Sequence, residues 1–509
     1  MAPALQTPAD RLVAQRGRPW RKPEDVGPPD WRPVADTATG LQSVPGSRPP
    51  RLATTTGRHR RQNGSVHRPT RPALTAERRA VDRDIVRLAV PALGALVVEP
   101  LFLLTDTALV GHLGATPLAA VGLASAVLST VTGLLVFLAY STTPAVARAL
   151  GGGDRRGAVH AGIDGMWLAL VLGVLLALVG WPLAGPLVDL FGASAEVSAA
   201  ATAYLTISLI GLPGILVVTA STGLLRGLQD TKTPLVVATI GFVANGLLNA
   251  VLIYGAGWGV EGSAAGTVIV QWAMAVVYVR IAVRAARSSG APLRPGASGV
   301  ARALRSGAWL FLRTASLRIA MLATVGAAAG LGTTGLATTQ VGLTVFSTLA
   351  FALDALAIAG QALVGHGLGG RDPERVRLVT RRLVLLGIAG GVLLGVLTLA
   401  VSGVLGPVFS DAQAVRDALP VVLVLIAVGM PVAGYVFVLD GVLIGAGDAR
   451  YLAIAGGANL VVYLPLLWWA GGTLAGLWAA FALGYIGVRA VTLAVRAHRR
   501  GWVEQALAR

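Results

Sequence analysis

The amino-acid sequence predicts an all-α integral membrane protein, with twelve transmembrane helices arranged as two pseudo-symmetric six-helix bundles. Three observations carry that expectation: a series of apolar runs of spanning length, arginines concentrated in alternate connections between them, and an internal repeat six spans long. Composition excludes the commoner classes. Of 509 residues, 54% are hydrophobic and 13% charged, with a mean hydropathy of +0.70; an ordinary soluble domain has about a quarter of its residues charged. There is no cysteine, which rules out a disulfide framework, a thiolate metal site and a cysteine nucleophile.

The formal charge is +18, from 42 Lys and Arg against 24 Asp and Glu. In a soluble protein such an excess suggests nucleic acid. Here the cations sit in an N-terminal tail and in short connections between apolar runs, so no nucleic acid partner is expected. Residues 1–82 are rich in Pro, Arg, Thr and Gly and show no sustained apolar period. Such a segment buries too little apolar surface to offset its ordering entropy, and it is expected to be a disordered basic cytoplasmic tail. It lacks the apolar h-region of a secretory signal. Its arginines suit anionic lipid, at about 1 kcal/mol per well-placed cation.

From Ile85 onward the apolar runs are long enough to cross about 30 Å of hydrocarbon as helices. In the first half, residues 83–290, they lie at 85–112, 118–147, 158–184, 198–224, 234–255 and 262–286. In the second half, residues 291–509, they lie at 306–330, 336–366, 378–404, 416–443, 450–470 and 475–497. The connections after the even-numbered spans carry Arg148, Arg155 and Arg156; Arg226 and Lys232; Arg287, Arg294, Arg302 and Arg305; Arg371, Arg375 and Arg377; and Arg450. The other connections carry almost no cations, Arg416 excepted, and include Asp189, Glu196 and Glu261. Short positive loops stay cytoplasmic, so both termini are expected there.

A shift of 218 residues lays the chain on itself. Leu150, Gly151, Gly152 and Asp154 fall on Leu368, Gly369, Gly370 and Asp372, and Gly223, Gly227 and Asp230 fall on Gly441, Gly445 and Asp448. Because the shift covers six spans, the two copies run in the same direction through the membrane, a parallel repeat. Two such bundles facing each other suit alternating access, which a membrane enzyme or a ring channel does not need.

Charged side chains inside spans cost at least about 2.5–3.5 kcal/mol on insertion scales and need a reason. Span 1, VPALGALVVEPLFLLTDTALVGHLG, holds Glu99 and Asp106, seven residues apart on nearly one face, about 10.5 Å along the axis. Pro91 and Pro100 are expected to bend that helix. A desolvated carboxyl takes up a proton more readily than a solvated one, which makes Asp106 the leading candidate for a cation-coupling group and Glu99 the second. Asn245 and Asn249 in span 5 stack at i, i+4 and are candidates for a cavity wall beside Asp106. Gln271, Gln340, Asp354 and Gln361 are further cavity candidates. Asp164 and Asp440 fall nearer the cytoplasmic ends, where solvated or capping roles are expected. Arg313 and Arg318 could snorkel or pair with a carboxylate. Asp154, Asp230, Asp372 and Asp448, each just before a span, are expected to be helix N-caps. No metal site, nucleotide loop or nucleophile constellation is expected, since GLGG and GGGD lack the Lys and Ser/Thr of a phosphate loop.

These segments resemble the multidrug and toxic compound extrusion (MATE) family, in its DinF-like branch. The likeness rests on DTALVGHLG with LAAVG, ALGGGD, GLLRGLQDTKTPL, GVEGSAAGTVIVQ, FALDALAIAGQALVGHGLGG and LDGVLIGAGD, in that order along residues 83–500. It implies an antiporter of the bacterial inner membrane, working as a monomer and not an enzyme. Such a protein exports organic, often cationic or amphipathic, small molecules in exchange for protons or sodium. The family's span 1 aspartate falls on Asp106 and its bending proline on Pro91. Its span 5 Asn and Asp pair falls on Asn245 and Asn249, so the second carboxylate is absent and coupling to H+ is expected over Na+. No other cofactor is implied. A flippase for lipid or lipid-linked precursors and a non-transporting scaffold are the alternatives.

Overall fold

The structure, a computed structural model, describes residues 71–499 and 501–508. Among them every regular element is helical. The first half comprises α1 (Arg71–Gly111), α2 (Ala115–Leu134), α3 (Phe137–Gly151), α4 (Arg155–Asp189), α5 (Ala195–Gly227), α6 (Lys232–Ala250) and α7 (Gly259–Ser289). The second comprises α8 (Ala297–Ala329), α9 (Gly332–Gly369), α10 (Pro373–Phe409), α11 (Gln413–Gly445), α12 (Ala449–Ala470), α13 (Leu474–Ala480) and α14 (Val488–Ala497), followed by the short α15 (Trp502–Leu507). Twelve stretches are long and apolar enough to span a bilayer. Span 2 is α2 plus α3. Spans 5 and 12 each contain a π-helical turn, at Val251–Gly255 and Phe481–Gly487.

The repeat is structural. In the first half α4 packs on α5, α3 on α5, and α1 on α6; in the second α10 packs on α11, α9 on α11, and α8 on α12. The same neighbours recur because the same small-residue faces recur six spans later.

The expected tail needs one correction. Residues 1–70 lie outside the described residues, but 71–82 continue helix α1 rather than forming a separate tail. Val81, Ile85, Leu88 and Ala92 repeat at helical spacing and are buried with Leu363, Val376 and Val503, which gives this extension an apolar seat. Ion pairs from Asp82 to Arg382 and from Asp84 to Arg375 flank it.

Three of the four expected caps form. The Asp154 and Asp372 carboxylates accept from the backbone N–H of Gly157 at 2.7 Å and Arg375 at 2.9 Å, and Asp230 accepts from Lys232 at 3.1 Å and Thr233 at 3.0 Å. Asp448 instead accepts from Arg496 Nε at 2.7 Å and makes no side-chain cap. A cation within reach displaces the weaker backbone donor.

The halves converge where the arginine-rich connections lie. There α3 runs along α9 and α8. A Cβ on Gly151 would run into the His366 carbonyl, and one on Gly369 into the Arg148 carbonyl, two contacts related by the same shift of 218 residues. Toward the opposite end α2 only brushes α8. Gly122, Ala126 and Thr130 on α2 and their repeat mates Gln340, Thr344 and Thr348 on α9 are exposed. Both stripes continue at helical spacing into the residues that touch at the basic end, where Gly365 meets Pro144 and Ala147. They therefore wall a cleft between the halves that closes toward the basic end.

Candidate functional site

Asp106 sits five residues before the end of α1 and is 5% exposed. Three helices supply its partners. Ser263 of α7 donates its hydroxyl to Oδ1 at 2.6 Å, and Asn249 of α6 donates Nδ2 to the same oxygen at 2.9 Å. Tyr204 of α5 donates to Oδ2 at 3.4 Å. Behind them Asn245 accepts from Asn249 Nδ2 at 3.2 Å and donates to Thr267 Oγ1 at 3.0 Å. The i, i+4 spacing stacks the two amides, and both are buried. The Asn249 Oδ1 atom is buried without a hydrogen-bond partner.

This is a cage of donors aimed at a carboxylate. Ionised, Asp106 only accepts, and each surrounding hydroxyl or amide offers it a proton. Asn245 and Asn249 were expected to wall a cavity beside Asp106; they lie beside it but are buried, with only Asn249 bonding it directly, and the sequence did not single out Tyr204, Ser263 or Thr267. A hydroxyl on an apolar helix carries no periodic mark, and only the packing of α5 and α7 against α1 and α6 selects these three.

The remaining candidates divide. Pro91 and Pro100 both lie within the continuous helix α1. Glu99 is on the same helix, with its side chain outside the described residues. Gln271 packs against Gly211 of α5, and Gln361 is buried beside Gly445 of α11. Neither reaches Asp106. Gln340 is exposed on the cleft stripe of α9, and Asp354 is partly buried further along that helix, in the electrostatic reach of Arg313, Arg489 and Arg226.

Two expectations are corrected here. Asp440 is neither solvated nor a cap: Arg313 grips it with Nε at 3.2 Å and with its terminal nitrogen, and Arg489 reaches Oδ2 at 2.9 Å. Asp440 and Arg489 are buried and Arg313 is mostly so, and Arg489 also lies over the Tyr485 ring at 5.5 Å. Asp164 is buried rather than solvated, although it does serve a helix end, accepting from the backbone N–H of Gly296, the N-cap residue of α8, at 2.8 Å.

The repeat is broken at the site. The shift of 218 residues carries Asp106 to Thr324 and Asn245 to Tyr463, and these two hydroxyls bond each other at 2.7 Å. The second half thus holds a neutral hydroxyl pair where the first half holds the acid. Close by, Phe481 stacks on Tyr485 at 4.8 Å and meets Trp478 at 5.3 Å.

The MatE family model matches residues 91–251 and 310–469, one block in each half. Protein DETOXIFICATION 45, chloroplastic, of Arabidopsis thaliana is 29% identical over 440 residues, covering 81% of this chain and 77% of that protein. DNA damage-inducible protein F of Escherichia coli is 30% identical over 197 residues, 38% of this chain and 43% of its own. Among solved structures, the Vibrio cholerae MATE transporter VcmN in the bent form superposes with a TM-score of 0.77 at 20% identity, over 85% of this chain and 98% of that one. A MOP superfamily transporter from Pyrococcus furiosus gives 0.76 at 21% identity, over 84% and 96%. With both blocks of the repeat matched and the twelve-span fold shared, the chain belongs to the MATE family of multi-pass membrane transporters.

Proposed function

We propose that the chain is a proton-coupled antiporter that exports organic small molecules, with Asp106 as the group that carries the proton. The observation behind this reading is the donor cage around one buried carboxylate. Ionised, Asp106 is satisfied by Ser263, Asn249 and Tyr204. Protonated, it must itself donate and needs an acceptor. Turning the Asn249 amide would offer Oδ1, which has no partner in the present arrangement. The two protonation states of Asp106 therefore call for two patterns of side-chain hydrogen bonds linking α1 and α6, and a ligand shifts a conformational equilibrium only by favouring one state over the other. A hard cation such as sodium takes a shell of oxygen ligands, whereas here N–H and O–H groups point at the carboxylate, which argues for a proton.

In this cycle the arginine-rich end is cytoplasmic, at the inner membrane of a bacterium, with both termini inside. Closure at Gly151 and Gly369 then leaves the cleft open outward. A proton entering from outside neutralises Asp106, span 1 repacks, and cargo leaves the cleft.

The test is dye uptake into everted membrane vesicles under an imposed proton gradient and then a sodium gradient, for wild type and Asp106→Asn. Uptake driven by protons alone and lost in a variant that still inserts is the expected result. Uptake driven only by sodium, or an Asp106→Asn variant as fast as wild type, overturns it.

A further inference from the structure

The cleft carries an ionised side chain that the coupling site does not use. Arg318 lies on α8, eleven residues before Ala329 at that helix's end, about 16 Å along the axis and so near mid-span. It is exposed. Arg313, five residues earlier, points into the second half at Asp440; five helical residues turn the chain by about 140°, so Arg318 points elsewhere, toward span 2. Its guanidinium lies on α2 at Gly133, where a Cβ would collide with it. Among the described residues no carboxylate pairs with it. An unpaired guanidinium facing hydrocarbon at this depth would cost at least about 2.5–3.5 kcal/mol. Exposure there, against the face of α2 that walls the cleft, places it in water.

The hydroxyls along the cleft walls have committed their protons and present only oxygen lone pairs, so the fixed charge decides what the cleft attracts. Ser129 and Thr130 donate their hydroxyls to the Ala126 carbonyl, Thr344 to that of Gln340, and Thr348 to that of Thr344. Their protons are committed, so the free donors on these walls are the Arg318 guanidinium and the Gln340 amide. The in-span carboxylates among the described side chains are already engaged. Asp106 is buried among donors, and Asp440 is held by two arginines. Asp354 has Arg313, Arg489 and Arg226 around it. Among the described side chains, guanidinium groups outnumber carboxylates in this part of the protein.

We propose that the cleft receives its cargo by an anionic group, a carboxylate or a phosphate, which the Arg318 guanidinium binds as a forked, charge-assisted pair, with Gly133 leaving room for it. This rests on the transporter reading and replaces the cationic cargo that the family likeness implies with an anionic or zwitterionic amphiphile.

The test is a binding titration on the purified full-length protein, with no gradient. Two matched fluorescent pairs serve as probes: a dansyl-labelled long-chain fatty acid with its methyl ester, and a short-chain NBD-phosphatidic acid with the corresponding NBD-diacylglycerol. The expected result is that the charged member of at least one pair binds about tenfold tighter than its neutral twin. That preference disappears in Arg318→Gln, is reduced but not abolished in Arg318→Lys, which keeps the charge without the fork, and weakens in Gly133→Leu, which fills the guanidinium's seat without altering charge. A preference confined to the fatty acid identifies a free amphiphile, and one confined to the phosphatidic acid a lipid headgroup. Equal binding within both pairs, no binding of any probe, or a preference that survives in a folded Arg318→Gln protein overturns the proposal. Proton coupling at Asp106 is read by vesicle transport, so either conclusion can fail while the other stands.

Discussion

Gly151 and Gly369 are mates in the internal repeat, and each lies against the other's helix: a side chain on the first would strike the His366 carbonyl, and one on the second the Arg148 carbonyl. This backbone-on-backbone crossing closes the cleft at the basic end. Arg148 fastens it, donating its terminal nitrogen to the Ala446 carbonyl at 3.1 Å. Only a missing Cβ allows helices to approach so closely.

Gly369→Leu should therefore favour the state open at the basic end. The chain has no cysteine, so Thr348→Cys provides a single reporter on the cleft wall. Labelling by an impermeant thiol reagent from the opposite side should fall several-fold in Gly369→Leu relative to the reporter alone. Unchanged labelling would mean that the crossing is not the closure.

Removing one member of the Asp440 trio should be far worse than removing all three. Asp440→Asn leaves two buried guanidinium groups without their carboxylate, at a cost of about 3–5 kcal/mol, and should sharply reduce the amount of folded protein in the membrane. Replacing Arg313, Asp440 and Arg489 together by Leu or Met should restore folding. Size-exclusion chromatography and thermal unfolding in detergent separate the two outcomes.

Asn249→Leu should lower both stability and transport. It takes one donor from the Asp106 carboxylate and the partner from Asn245, and a hydrogen bond to a charged group contributes about 1.5–3 kcal/mol. Ser263→Ala, which takes a single donor, should show a smaller fall in Tm. Wild-type transport in both variants would remove the cage from the mechanism.

Deletion of residues 1–70 should leave Tm unchanged, whereas deletion through Asp84 should lower it. The longer deletion removes buried Val81 and the pairs to Arg382 and Arg375. Partly exposed pairs contribute about 0–1 kcal/mol each, so most of the loss should come from Val81 and the fraying of α1 beneath Ile85.

Much of this protein is legible in the sequence because the bilayer makes it so. A segment crossing hydrocarbon must satisfy its backbone internally and stay apolar for a fixed length, so the twelve spans can be read from composition alone. The repeat could be read from aspartates in the connections, where caps restrict residue choice, and from glycines near the helix ends, where close crossings leave no room for a Cβ. Asp106 announced itself because a carboxylate in such a run needs a reason, and Asn249 because i, i+4 spacing survives in the chain.

The tertiary structure decided which polar groups meet. Nothing local distinguishes Ser263 and Tyr204, which reach Asp106, from Gln271, which packs on Gly211 instead. Asp440 reads as an end-of-span acid until α8 and the π-turned span 12 bring Arg313 and Arg489 onto it. Arg318 lies five residues from Arg313, yet one is buried against a carboxylate and the other faces the cleft. Spacing along one helix fixes the angle between two side chains. What stands in each direction depends on helices far away in the chain, and their approach is set by packing that no single span encodes.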